Sequence, residues 1–173
     1  MIVLGIDPGT AITGYGVVAG EAHGAKRLIE CGVIRTRARD PLPSRLREIH
    51  EGITELIARH QPAVMAIEDV FYAKNVRTTV VLGHARGAAM LAAEQAGIPV
   101  AEYAPAAVKK SVCGAGNATK MQVQFMVMRL LKLTRAPEPA DAADGVAAAL
   151  THLMGAHLER VALRAAEPRF ERR

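Results

Sequence analysis

The chain has 173 residues, half of them hydrophobic, which is enough for one compact domain with a full core of its own. Its 22 lysines and arginines against 17 acids give a formal charge of +5, an excess that suits a polyanionic partner without singling one out. The cysteines Cys31 and Cys113 stand far apart with no metal-site spacing, and the apolar start meets an acid at position 7; secretion, a disulfide scaffold and a membrane span are therefore disfavoured, and a cytoplasmic location is expected.

In chain order, residues 2–7, about 13–19 and about 28–35 are predicted strands, joined by turns short enough for antiparallel neighbours. Leu42, Leu46, Ile49, Ile53, Leu56 and Ile57 mark a helix from Pro41 to His60, which Pro62 closes. A short strand over 63–68, a helix over 76–96 and a strand over 98–103 follow, with Gly97 and Pro99 at the last junction. A short helix from Pro105 to Val112, a glycine-containing loop Cys113–Asn117 and a helix from Thr119 to Leu131 come next. The final helix begins near Ala140, after Pro137 and Pro139, and is expected to end near Val161. Strands linked by helices point to an α/β fold with a mixed sheet covered by helices. One domain is expected over residues 1–158, with a basic, flexible tail over 159–173 that carries Arg160, Arg164, Arg169, Arg172 and Arg173.

The first strand ends on Asp7 and the fourth on Glu68, so two strand ends present carboxylates on rigid backbone. Asp141 and Asp144 lie three positions apart on one face of the final helix, and the apolar run Gly145–Leu150 behind them must pack on something. If that surface is the sheet, four carboxylates converge and repel one another unless divalent cations intervene; oxygen donors of this kind suit magnesium or manganese. Two such cations about 4 Å apart would support in-line phosphodiester hydrolysis without a Ser-His-Asp or Cys-His set. Lys109, Lys110 and Lys120 flank the glycine loop, where they can reach a phosphate backbone, Lys109 and Lys120 being placed to stabilise the scissile phosphate. Asp69, next to Glu68, is expected to face solvent, and His84 and His152, which lack partners at metal-site spacing, are expected to be ordinary helix residues.

The segments Gly5–Thr10, Thr13–Gly16, Ala66–Glu68, Lys74–Asn75, Leu82–Gly87, Val108–Lys109 and Asp141–Asp144 resemble, in order and spacing, the RuvC family of bacterial crossover junction endodeoxyribonucleases. The likeness runs from residue 2 to about residue 155. It implies an RNase H-like fold with a five-stranded sheet and helices on both faces. It implies two Mg2+ ions per site, for which Mn2+ can substitute, held by the catalytic acids Asp7, Glu68, Asp141 and Asp144. It further implies a homodimer that makes paired symmetric nicks in Holliday junctions during DNA recombination and repair, leaving 5′-phosphate and 3′-hydroxyl ends, with the branch-migration proteins RuvA and RuvB as partners. Lys109 and Lys120 correspond to lysines implicated at the active site. Phe71 falls where the family carries an aromatic near the junction, and Tyr72, Lys74, Arg77 and Lys110 are further candidate DNA contacts.

The helix over 76–96 combines Val80, Val81, Ala85, Ala88, Ala89, Met90 and Ala92 with Gly83 and Gly87, so one face can meet the sheet and another a twin helix. Two other readings share parts of this pattern: a DNA-junction-binding architectural protein that does not cut, and an RNA-processing nuclease of the same superfold. The phosphate loop of actin-like ATPases also joins an acid to glycine and threonine, but that class needs a second lobe that 173 residues do not supply.

Overall fold

The computed structural model describes residues 1–21, 24–69 and 76–166, with side chains of the last helix described through Gly155. Strands β1 (Ile2–Asp7), β2 (Ile12–Gly20) and β3 (Lys26–Arg35) form an antiparallel meander. Helix α1 (Leu42–His60) crosses over to β4 (Val64–Glu68), and α2 (Val76–Gln95) crosses to β5 (Val100–Tyr103). Both returns are parallel, which gives a five-stranded mixed sheet in the order β3-β2-β1-β4-β5. Helices α3 (Pro105–Cys113), α4 (Lys120–Leu130) and α5 (Ala140–Ala166) complete the chain.

Alternation along the strands divides the core in two. Leu4, Ile6, Val17, Met65 and Ile67 pack with Ile49 and Ile53 of α1 and Ala85, Ala89, Ala92 and Ala93 of α2. Val3, Val18, Val64 and Ala66 point the other way, against Val108 and Val112 of α3, Val123 and Val127 of α4, and Val146, Ala149 and Leu150 of α5. Helices therefore cover both faces, as expected.

Each helix starts and stops where local chemistry allows. Pro43 sits in the first turn of α1, where its missing N–H costs nothing, and Gln61 ends the helix in a left-handed conformation with its N–H on the Ile57 carbonyl. Thr119 and Gln122 form a reciprocal capping box at the start of α4. Gly114 (φ 80°) ends α3 and Gly97 (φ 69°) follows α2, a backbone region that favours glycine. Helix α5 continues to Ala166, beyond the expected end near Val161, because Ala162, Leu163, Arg164, Ala165 and Ala166 all favour helix. Residues 159–166 of the expected tail thus lie in α5, and 167–173 lie outside the described residues.

Helix α5 packs very closely on β1 and β2. A Cβ on Gly5 would strike the Gly145 carbonyl and the Ala149 nitrogen, and one on Gly14 would strike the Asp141 carbonyl. A Cβ on Gly16 would lie 2.5 Å from the Cα of Val146, and one on Gly145 would lie 2.6 Å from the Cα of Tyr15. Backbone therefore rests on backbone along this seam, and the first turns of α5 sit directly over the strand that carries Asp7.

Helix and sheet must separate to admit a methyl group here. Gly16→Ala is expected to lower unfolding free energy by about 1–3 kcal/mol or more. Gly155→Ala, whose Cβ would meet nothing within 4 Å, should raise it by up to about 1 kcal/mol through helix propensity. Urea titration of both variants checks the contrast.

Candidate active site

The register Ile6↔Ile67 sets Asp7 and Glu68 at adjacent strand ends, on the face that α5 covers. The glycine seam brings the first turns of α5 to the same place. One carboxylate oxygen each from Asp7, Asp141 and Asp144 lies within 4.8 Å of the others. Glu68 stands outside that tight group but close enough to feel the charges of Asp7 and Asp144.

The turn after Asp7 is tied down on several sides. Thr13 Oγ1, fully buried, donates to the Gly9 carbonyl at 2.7 Å, and the Thr36 N–H donates to the Ala11 carbonyl at 3.1 Å. Thr36 Oγ1 donates to the Thr10 carbonyl and accepts from Arg45 Nε at 3.0 Å. Asp7 is thereby held by both its strand and its loop.

Burial and crowding raise the acids. Burial, then the neighbouring Asp144 and Asp141 charges, push the Asp7 carboxyl up to about 6 against the pull of Lys120. Burial, then Asp7 and Asp144, push Glu68 up to about 8, with Lys109 and Lys120 opposing. Lys120 Nζ lies 3.1 Å from Asp141 Oδ1 and 3.0 Å from Asp144 Oδ2. Burial alone would lower the Lys120 ammonium, but its bonds to Asp144 and Asp141 outweigh that and hold it above the ordinary lysine range. Crowded carboxylates with hard oxygen donors fit a divalent cation, which would offset the burial and repulsion that raise Asp7 and Glu68.

The expected residues are thus partly gathered. Asp7, Asp141, Asp144 and Lys120 meet, Glu68 stands beside them, and Lys109 on α3 is near enough to act on Glu68. Lys110 and Arg77 are exposed, while Phe71, Tyr72 and Lys74 lie outside the described residues. His152 is satisfied by a 2.9 Å hydrogen bond between its Nδ1 and the Tyr103 hydroxyl, and His84 is exposed on α2. Asp69 is exposed, as expected, and its carboxylate also lies 3.5 Å from Arg86 Nε. Arg86 also donates to Glu102. Arg86 stands inside the Leu82–Gly87 segment, but its acidic partners follow only from how α2 crosses the sheet.

A family model for the crossover junction endodeoxyribonuclease RuvC matches residues 3–152. The RuvC of Desulforamulus reducens is 49% identical over 152 residues, covering 88% of this chain and 93% of the relative. That of Shewanella amazonensis is 51% identical over 152 residues, covering 87% of this chain and 86% of the relative. Among solved structures, Thermus thermophilus RuvC in complex with a Holliday junction substrate superposes with a TM-score of 0.86 at 38% identity, covering 92% of this chain and 96% of the other.

The raised acids fix a sign for the pH dependence of the cation-free protein. Between the ordinary values of 3.8 and 4.5 and the folded values near 6 and 8, the folded chain keeps protons that the unfolded chain has lost. Stability therefore falls as pH rises through that window and levels off above it. With EDTA present, Asp7→Asn and Glu68→Gln should melt several degrees above the parent at pH 8 and differ little from it at pH 4, as thermal denaturation at the two pH values would report.

Proposed function

The chain belongs to the RuvC family of crossover junction endodeoxyribonucleases, and from that premise we propose that it resolves Holliday junctions by paired symmetric nicks in DNA recombination and repair. Its mixed sheet with helices on both faces is the RNase H-like arrangement of the RuvC structures it superposes on. The observation that carries the reading is the convergence of Asp7, Asp141 and Asp144 within 4.8 Å, beside Glu68, under a lysine that bonds two of them.

Asp7, Glu68, Asp141 and Asp144 are the residues to hold the cations, two Mg2+ per site, with Mn2+ as a substitute. When bound, such a pair supplies activation of the attacking water and neutralisation of the departing oxygen. Water adds to phosphorus, the bond from phosphorus to the 3′ oxygen breaks, and that oxygen leaves with a proton, giving 5′-phosphate and 3′-hydroxyl ends. The rigid strand ends and the seamed helix set the carboxylates before substrate arrives, so little reorganisation remains for the reaction itself. Lys120 offers its ammonium beside Asp141 and Asp144, and Lys109 offers a second positive charge on the Glu68 side; both are suited to the scissile phosphate. Phe71, Tyr72, Lys74, Arg77 and Lys110 extend the DNA-binding surface in this reading, an aromatic face taking a distorted base and the cations taking phosphates.

The working unit is a homodimer. Helix α2 buries Ala85, Ala89, Ala92 and Ala93 while it exposes Val76, Val80 and Leu91, with Gly83 and Gly87 in line with them. Nothing lies within 4 Å of where a Cβ would stand on either glycine, so a second helix can approach closely. RuvA and RuvB are the expected branch-migration partners, and a cytoplasmic location accords with the free thiols of Cys31 and Cys113.

End-labelled four-way junctions incubated with the protein should be nicked in opposite strands with Mg2+ and left intact with EDTA. The nicks should be ligatable, and Asp7→Asn should reduce the rate by about 100-fold or more. Junction binding by the intact protein without cleavage in either Mg2+ or Mn2+ would favour the architectural reading. Val80→Glu, which sets a charge on the exposed face of α2, should convert dimer to monomer in sedimentation velocity and abolish paired nicking.

A further inference from the structure

We propose that Arg35, Arg37, Arg39 and Arg45, on the connection from β3 to α1, form a phosphate-binding surface that grips the DNA backbone to one side of the acid cluster. The inference rests on the reading above that the chain binds and cuts junction DNA, and it adds a surface outside the residues assigned there.

Strand direction puts the arginines at the same end of the sheet as the acids. Both β3 and β4 run with β1, so Asp7, Arg35 and Glu68 close three strands at one end. The order β3-β2-β1-β4-β5 sets Arg35 on one flank, two strand spacings or about 10 Å from β1. Lys109 and Lys110, on the helix that follows β5, stand on the other flank. Hydrogen bonds fix the connection to the site. The Thr36 N–H and Oγ1 donate to the Ala11 and Thr10 carbonyls of the turn after Asp7, and Thr36 Oγ1 accepts from Arg45 Nε at 3.0 Å. That turn, the connection and the first turn of α1 thus hold together as one piece.

Charge singles out the partner. Residues 35–45 carry four arginines against one acid, Asp40, so this connection holds most of the chain's formal excess of +5. None of the four has an ion pair among the described residues, whereas Arg47, Arg59, Arg86 and Lys120 all face carboxylates. Arg35, Arg37 and Arg39 are exposed, and the half-buried Arg45 uses only Nε on Thr36, with both terminal nitrogens open to an acceptor from outside the described residues. Cations gathered without acids repel one another over the roughly 8–10 Å that salt leaves unscreened, and a polyanion relieves that repulsion. A guanidinium fork matches paired phosphate oxygens, and a DNA strand offers a phosphate about every 3.4 Å along the helix axis, close enough to engage several of the four at once. A strand seated on this surface as well as on the acids is held at a second point, which fixes the phosphate that reaches the cluster.

Binding of a synthetic four-way junction in EDTA, followed by fluorescence anisotropy across a salt series, tests this apart from cleavage. Each phosphate contact adds about 0.9 to the slope of log affinity against log salt. Arg37→Gln combined with Arg39→Gln should therefore make that slope shallower by about 1.5–2 and weaken binding about 10- to 100-fold at roughly 0.1 M salt. Lys26→Gln combined with Arg27→Gln removes the same charge from the opposite end of β3 and should change the slope by less than about 0.5. Phosphate-ethylation interference gives a second reading. Ethyl groups about three to five nucleotides from the cut should weaken the parent and leave the Arg37, Arg39 variant indifferent. The proposal is overturned if the two double variants change the slope equally, or if the same ethylated phosphates interfere with parent and variant alike. A junction bound in this salt-dependent way but never cut in Mg2+ overturns the proposed function and not this surface. A junction cut by a parent whose salt slope survives the Arg37, Arg39 change overturns the surface and not the function, and a parent that binds no junction overturns both.

Discussion

The direct contact of the α5 backbone with β1 and β2 is the constraint from which the site follows. Asp7 ends a strand and Asp141 begins a helix, and 133 residues of intervening chain do nothing by themselves to join them. They meet because Gly5, Gly14 and Gly16 lay a side-chain-free strip across two strands, and Gly145 returns the same absence from the helix. A helix packed on ordinary side chains would stand several ångströms higher, and its acids would overlook Asp7 rather than surround it. The apolar run that follows, from Val146 through Leu150, is fully buried and supplies the burial that holds the seam closed.

Concentrating negative charge in this way works against folding, and the structure limits the cost in several ways. Burial and then mutual repulsion displace Asp7 and Glu68 above ordinary carboxyls, so they give up their protons less readily than free acids do. The Lys120 ammonium bonds the two helix acids from the first residue of α4, whose entry is fixed by the Thr119–Gln122 capping box. A cap some distance from any reacting atom thus governs where an active-site charge stands. Opposite, Lys109 tempers Glu68 from α3. Each device is one that a divalent cation can supplant.

Much of this was readable from local pattern, because the controlling signals are local. Strand-forming runs that end on Asp7 and Glu68, the three-residue spacing of Asp141 and Asp144, and the glycines and prolines at junctions all act within a few positions. The order of elements followed from them, with modest shifts such as β3 starting at Lys26, where its pairing with Gly20 extends the hairpin. What stayed hidden depends on contacts across the sheet. The glycines of β1 and β2 look like weak strand residues until α5 is laid on them. That the exposed Asp69 also faces Arg86 depends on a residue 17 positions away, on a helix whose rotation no periodicity specifies. Glu68 read as an equal member of a four-acid cluster, yet three oxygens form the tight group and Glu68 flanks it. The end of α5 was placed early because charge in a terminal segment suggests solvation, whereas helix propensity is indifferent to it.

The open sheet leaves two margins, β3 and β5, whose backbone groups on one side have no neighbouring strand within the sheet. Such margins invite strand addition by another molecule, the usual route to fibrillar growth. Here they are made unattractive by different means. The ten-residue β3 carries Lys26, Arg27, Glu30 and Arg35, so a strand arriving alongside would have to accommodate alternating charges of both signs. Strand β5 has only four residues, follows Pro99 and bears the exposed Glu102. Short length, charge and proline thus leave each margin a poor template for a further strand, so the sheet can stay open-edged without growing.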